Sequence, residues 1–292
     1  MLLIGSHVSF EKEQLLGCVK QIISYGGNTF MFYTGAPQNT IRRTIDDNLN
    51  QEAINLMKEN NIYYDKIVCH APYIINLANN LDINKYEFSI RFLRNEIDRC
   101  EALGIKYIVI HPGSALSLDK SVAINNIINA LNKVISQDDE IMILLETMAG
   151  KGTECGINNE ELKAIISGIN FKDKIGVCLD TCHLNDSGVN MSEFDNYLSS
   201  FEQVIGLEKI KCIHINDSKN NIFSKKDRHA NIGFGTLGFD NLLKIIYHEK
   251  LKDVPKILET PFVNDKPPYR HEIDMIKNKE FNPNLISDII NS

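Results

Sequence analysis

The chain has 292 residues, 43% of them hydrophobic and 24% charged, which suits one large α/β domain and requires no second one. Its formal charge of -7 has the wrong sign for a protein that grips phosphate through its own side chains. That weakens a nucleic-acid reading without removing it, because bound divalent cations escape a sequence count, and three of them would bring the sum to about -1.

The segment from Met1 to His7 has no basic leader and too short an apolar run for a signal peptide, and no later segment approaches a membrane span. A cytoplasmic location is therefore expected, with no membrane partner. Seven scattered cysteines, an odd number, argue for reduced thiols and against a disulfide framework.

Taken in order, residues 2–8 read as a strand, 11–25 as an amphipathic helix and 28–33 as a second strand. A loop over 34–43, containing Gly35 and Pro37, leads to a helix at 50–60, a strand at 66–69 and a long helix at 85–103 ended by Gly104. Strand 106–110, helix 123–135, strand 141–145 and helix 159–167 follow. Strand 175–179, helix 191–205, strand 211–215, helix 237–249 and strand 256–258 complete the series. Eight β-α units, with no linker or repeat dividing them, predict a closed parallel (β/α)8 TIM barrel, α/β in class and a single domain over residues 1–292. The competing arrangement is an open doubly wound sheet.

Six of the strands run into a residue able to bind a metal: His70, His111, Glu146, Asp180, His214 and Glu259. In a parallel barrel these carboxyl ends form the open face where chemistry collects. Side chains two apart on a strand share a face, so Val68, Val109, Leu144, Cys178, Cys212 and Ile257 should line the interior below. All are compact and apolar, so Cys178 and Cys212 read as core filler, not as thiolate ligands. Cys69 should face the helices.

His183, Asp227 and His229 enlarge the donor set, which then holds five of the eight histidines and four carboxylates. Imidazole with carboxylate suits zinc or another first-row divalent ion, and nine donors exceed what one ion uses, so several ions are predicted. In Asp227-Arg228-His229 an extended loop would aim Asp227 and His229 the same way and Arg228 elsewhere. Lys225, Lys226 and Arg228 make that loop basic, which suits a phosphate-bearing substrate. Gly233-Phe234-Gly235-Thr236-Leu237-Gly238 has the spacing of a dinucleotide fingerprint but follows a polar loop instead of a strand. It predicts a tight turn into the helix from Leu237 and no nucleotide cofactor.

Seven motifs then carry a resemblance. They are His70-Ala71-Pro72-Tyr73-Ile74-Ile75-Asn76-Leu77, His111-Pro112-Gly113, Leu145-Glu146-Thr147-Met148-Ala149-Gly150-Lys151-Gly152, Asp180-Thr181-Cys182-His183, His214-Ile215-Asn216-Asp217-Ser218-Lys219, Asp227-Arg228-His229 and Leu258-Glu259-Thr260-Pro261. In this order they resemble the endonuclease IV family of apurinic/apyrimidinic DNA repair endonucleases. The resemblance extends from Ile4-Gly5-Ser6-His7-Val8-Ser9 to Pro267-Pro268-Tyr269, and Thr34-Gly35-Ala36-Pro37-Gln38-Asn39-Thr40 looks like the bacterial Firmicutes-type branch.

The resemblance implies three zinc ions. His70, His111 and Glu146 would hold the first, Glu146 would bridge to a second held by Asp180, His214 and Glu259, and His183, Asp227 and His229 would hold the third. It also implies base excision repair of double-stranded DNA by a monomer. The phosphodiester on the 5′ side of an abasic deoxyribose would be hydrolysed to a 3′-hydroxyl and a 5′-deoxyribose phosphate, and 3′-blocking groups would be removed. Glu146 and Glu259 would be the catalytic carboxylates, the first bridging the ions that activate water and the second orienting or deprotonating it.

Gln38 and Tyr73 are the candidates to fill the gap where a base is missing, and Arg228 completes the DNA-binding set. The loop over 33–43 is less aromatic than in better-known family members, Trp is absent, and Ala230 stands where many relatives carry an acid. A metal-dependent TIM-barrel sugar isomerase or epimerase is the alternative. It shares the rim but uses one or two ions and has no need of the Asp227-Arg228-His229 clamp. A non-catalytic abasic-site binder would have no need of an intact ligand set.

Overall fold

In the computed structural model, which describes residues 1–291, apolar runs rich in Val, Ile and Leu form strands covered on both faces, as parallel sheets require. They are β1 (Ile4–His7), β2 (Thr29–Phe32), β3 (Val68–His70), β4 (Tyr107–Ile110), β5 (Met142–Glu146), β6 (Ile175–Asp180) and β7 (Ile210–Ile215). A short antiparallel pair follows, β8 (Asp217–Ser218) with β9 (His229–Ala230), and then β10 (Lys256–Leu258). β10 pairs with both β7 and β1 and closes an eight-stranded parallel barrel. The predicted (β/α)8 architecture is the observed one.

The helices are α1 (Gln14–Tyr25), α2 (Asp47–Glu59), α3 (Ile83–Ala102), α4 (Lys120–Val134) and α5 (Asn159–Gly168). They continue with α6 (Thr181–Ser187), α7 (Phe194–Val204), α8 (Phe239–Ile246), α9 (Tyr269–Asn278) and α10 (Leu285–Asn291). Caps set several boundaries. Asp46 accepts the amides of Asn48 and Leu49, so α2 begins three residues ahead of the predicted 50. Gly26, at φ 76, ends α1 in the left-handed region. The predicted helix 237–249 contracts to α8 because the glycine turn before it wraps a carboxylate, as described below.

Three helices were not predicted. α6 is too short to show a period and exists because Asp180, the last residue of β6, caps the amide of His183 at 2.7 Å. α9 supplies the eighth barrel helix and packs on α1 and β1, but its sequence is polar apart from a narrow buried stripe. α10 packs on α9.

The barrel interior is a cluster of its own, made of Met31, Val68, Val109, Leu144, Cys178, Cys212 and Ile257. It contains all six predicted inward positions, and β2 adds Met31. Cys69 faces outward into the helix-side core, and all seven cysteines are free and buried. This plug floors the open mouth of the barrel. No helix among the described residues is long and apolar enough to cross a membrane.

Candidate metal centre

Strand ends place most of the donors. Glu146, His70 and Asp180 are the last residues of β5, β3 and β6, His111 and Glu259 follow β4 and β10 by one residue, and His214 is next to last in β7. His183 rides on the first turn of α6, and the β8–β9 pairing, with Ser218 opposite His229, folds Asp227 and His229 back over the mouth.

Glu146 sits at the centre of this convergence. Its Oε2 lies 3.1 Å from His70 Nε2 and 3.2 Å from His111 Nε2. Its Oε1 lies 3.2 Å from the Nδ1 atoms of both His183 and His214. His214 Nδ1 is also 3.1 Å from Glu259 Oε2, and His183 Nε2 is 3.0 Å from Asp227 Oδ1. His229 Nε2 completes the ring, 3.5 Å from Asp227 and 3.8 Å from Asp180.

All nine predicted donors are thus brought together, with one donor atom per residue falling into compact sets. His70, His111 and Glu146 form one; Glu146, Asp180, His214 and Glu259 form a second; Asp180, His183 and His229 form a third, with Asp227 reaching both of its imidazoles. Asp180 stands between the second and third sets. Sulfurs also approach, Cys178 and Cys212 near His214 and Cys182 near Asp227 and His229.

Three imidazoles are oriented by backbone carbonyls. Nδ1 of His70 lies 2.7 Å from the Ala71 carbonyl, Nδ1 of His183 2.9 Å from that of Thr147, and Nδ1 of His229 3.2 Å from that of Glu259. A proton donated there leaves Nε2 as a free lone pair facing the cavity, the usual arrangement behind metal-binding histidines. His229 Nε2 is buried and without a hydrogen-bond partner. Asn216 joins two donor residues: its side-chain amide donates to the Asp180 carboxylate at 2.7 Å, and its oxygen accepts the Glu259 backbone N–H at 3.0 Å. Asp186 accepts the Asp227 N–H at 2.9 Å.

The electrostatics call for cations. Burial opposes the charge on Glu146, yet His214 and His111 hold its carboxyl well below the usual range. Burial also depresses His183, but Asp180, then Asp227 and Glu146, lift it well above an ordinary imidazole. Five imidazoles, four carboxylates and an unpartnered buried ring nitrogen form a donor set that fits borderline divalent ions such as zinc.

Tyr73 is 58% exposed at the rim, its hydroxyl 2.5 Å from that of Tyr33 and its ring 5.4 Å from His111. Gln38, in the turn after Pro37, and Arg228 are exposed and do not line the cavity. Arg42 ties the Gln38 loop to the buried Glu96 at 2.6 Å.

Three residues that sequence reasoning passed over belong to the site. Lys151 lines the cavity of about 530 Å³ together with the donors, as does Glu154. No strand-end rule could have found Lys151, which comes from the loop after β5. His7 ends β1, the same signal that marked the other ligands. Burial pushes its imidazole down to about 4, with His70 and His214 adding to the shift against the pull of Glu259.

Two local expectations change. Asp227 is not extended, having φ 56, so it meets His183 and His229 through a left-handed turn and not through alternation. The glycine-rich segment is a turn, but its helix begins at Phe239, not Leu237. The carboxylate of Asp217 accepts the amides of Gly233, Gly235 and Leu237 at 3.1, 3.0 and 2.9 Å, which occupies the donors a nucleotide phosphate would need. A Cβ at Gly235 would stand 2.3 Å from Asp217 Oδ1, so only glycine fits there.

The profile of a family described as xylose isomerase-like TIM barrel matches residues 19–279. A probable endonuclease 4 of Bacillus subtilis (strain 168) is 51% identical over 99% of both chains. One from Mesoplasma florum is 48% identical over 96% of this chain and 97% of its own. Among solved structures, endonuclease IV from Thermus thermophilus superposes with a TM-score of 0.80 at 26% identity, covering 94% of this chain and 97% of the other. A D-tagatose 3-epimerase-like protein, at TM-score 0.68 and 19% identity over 98% and 99%, shares the fold alone. Full-length identity near one half to the endonuclease 4 proteins, on a barrel whose mouth gathers nine metal donors, means that this chain belongs to the endonuclease IV family.

Proposed function

We propose that the chain is a zinc-dependent AP endonuclease, cutting the phosphodiester 5′ to an abasic site in duplex DNA to leave a 3′-hydroxyl and a 5′-deoxyribose phosphate, and clearing blocked 3′ ends. The observation that carries this reading is Glu146, whose two oxygens face four imidazoles from four different segments. His70, His111 and Glu146 would hold one zinc; Glu146, Asp180, His214 and Glu259 a second; His183, Asp227 and His229 a third. Bound there, the ions would bring the pKa of a water toward neutrality and offset phosphate charge.

The chain's own groups do the rest. Glu259 is kept ionised against burial, first by His214, and orients the attacking water. Lys151 at the rim offers a cation to a substrate phosphate. Burial pushes the Tyr73 hydroxyl up to about 12, so it enters the duplex as a neutral aromatic, beside Gln38. Arg228 adds charge on the basic loop. One chain supplies every donor, so a monomer suffices.

The isomerase alternative has no use for the third donor set. The deciding experiment is incubation with a duplex carrying one synthetic abasic site, before and after zinc is stripped and then restored. Incision 5′ to the site that vanishes and returns with zinc is expected; undiminished incision by metal-free protein, or none by the zinc form, rejects the reading.

A further inference from the structure

Behind the metal centre, one buried carboxylate joins the two segments that carry its last ligands. Glu272, in the first turn of α9, is fully buried. Its Oε1 accepts the Ile232 N–H at 3.0 Å and the Asn231 side-chain amide at 3.1 Å; its Oε2 accepts the Thr260 hydroxyl. Asn231 lies two residues after His229, and Thr260 directly follows Glu259. The same Asn231 amide also donates to the Pro261 carbonyl at 3.0 Å. On the cavity side the two segments meet again where His229 Nδ1 approaches the Glu259 carbonyl at 3.2 Å.

We propose that Glu272 is a positioning residue that straps the His229 segment to the Glu259 segment and thereby sets the second and third donor sets against each other. His70, at the end of β3, and His111, just after β4, make no hydrogen bond to Glu272, and the first set meets the strapped ones only through the shared Glu146. The strap rests on neutral donors: burial pushes the carboxyl up to about 7, while Thr260, Ile232 and Asn231 pull it back. A buried carboxylate in such a place is costly unless every lone pair is used, and here it is used on the ligand-bearing loops. The inference rests on the three-zinc reading of the site.

The test follows zinc release from the loaded protein to a chromogenic chelator, for wild type, Glu272→Gln, Glu272→Ala and Thr260→Val. Loss of an outer partner typically costs 10–100-fold in metal affinity, so Glu272→Ala should release two of three equivalents about 10–100-fold faster and leave one at the wild-type rate. Glu272→Gln, which keeps an acceptor for Ile232 and a donor for Thr260, should stay near wild type. Should Glu272→Ala fail to fold, Thr260→Val removes one link alone and should speed a single equivalent. Acceleration of all three equivalents together, or of none, overturns the strap while leaving the zinc reading intact. Wild-type protein that holds no zinc overturns both.

Discussion

His183 Nε2 lies 3.0 Å from Asp227 Oδ1, joining a helix that starts at the end of β6 to the loop that leads into β9. In sequence the two belong to separate motifs; in space they share one face of the cavity. Asp227→Ala should therefore remove one zinc equivalent of three while two remain. Cleavage should fall by more than the 10–100-fold typical of an outer partner. Elemental analysis of the purified variant, set beside its incision rate, checks both; three retained equivalents would remove Asp227 from the ligands.

Glu259→Gln keeps the shape of the side chain and most of its contacts but removes its charge. Incision of abasic duplex should be suppressed while the duplex is still bound. Single-turnover rates alongside a binding titration separate the two, and unchanged turnover would take Glu259 out of the mechanism.

Lys151 brings a cation to a cavity otherwise lined by imidazoles, carboxylates and Tyr73. Lys151→Ala should raise KM more than it lowers kcat and reduce the slope of log affinity against log salt by about 1, the signature of one lost phosphate contact. An unchanged slope at several salt concentrations would place Lys151 outside the DNA contact.

Tyr73→Ala should weaken binding to abasic duplex with little change in binding to intact duplex, because its exposed ring stands over His70 and His111 at the entrance. Stacking is worth about 1–3 kcal/mol per base, so an affinity loss of about 10-fold is expected. Unchanged affinity of the variant for abasic duplex would assign the ring to rim packing.

Lys256, the first residue of β10, is fully buried, its ammonium donating to the Leu251 carbonyl. Burial pulls it down from 10.5 to about 8. Between those values the unfolded chain binds more protons than the folded one, so stability rises with pH across this window and the cost of burial is present in full below about 8. The shift corresponds to about 3 kcal/mol. Denaturant melts of wild type and Lys256→Met from pH 7 to 11 should show the wild type gaining on the variant as pH rises; parallel curves would refute the assignment.

The sequence by itself determined the barrel and its donors. Strands such as β5 (Met142–Glu146) and β6 (Ile175–Asp180) are apolar because parallel strands are covered on both faces, and that run ends abruptly in Glu146 or Asp180 where the backbone leaves the barrel. The period of two then placed Cys178 and Cys212 inside the plug, where the structure has them. His7 carried the same terminal signal and was readable on the same grounds.

Tertiary structure decided the rest. α9 shows one narrow buried stripe, so its place as the eighth helix and the reach of Glu272 exist only once the barrel has closed. Asp227 takes a left-handed turn that its neighbours in sequence do not dictate, since Asp186 and the β8–β9 pairing hold it there. Lys151, Asn216 and Asp217 act through distances between segments remote in the chain. Local patterns report which faces are apolar and where strands stop, whereas contacts across the mouth depend on how eight loops of unequal length settle against one another.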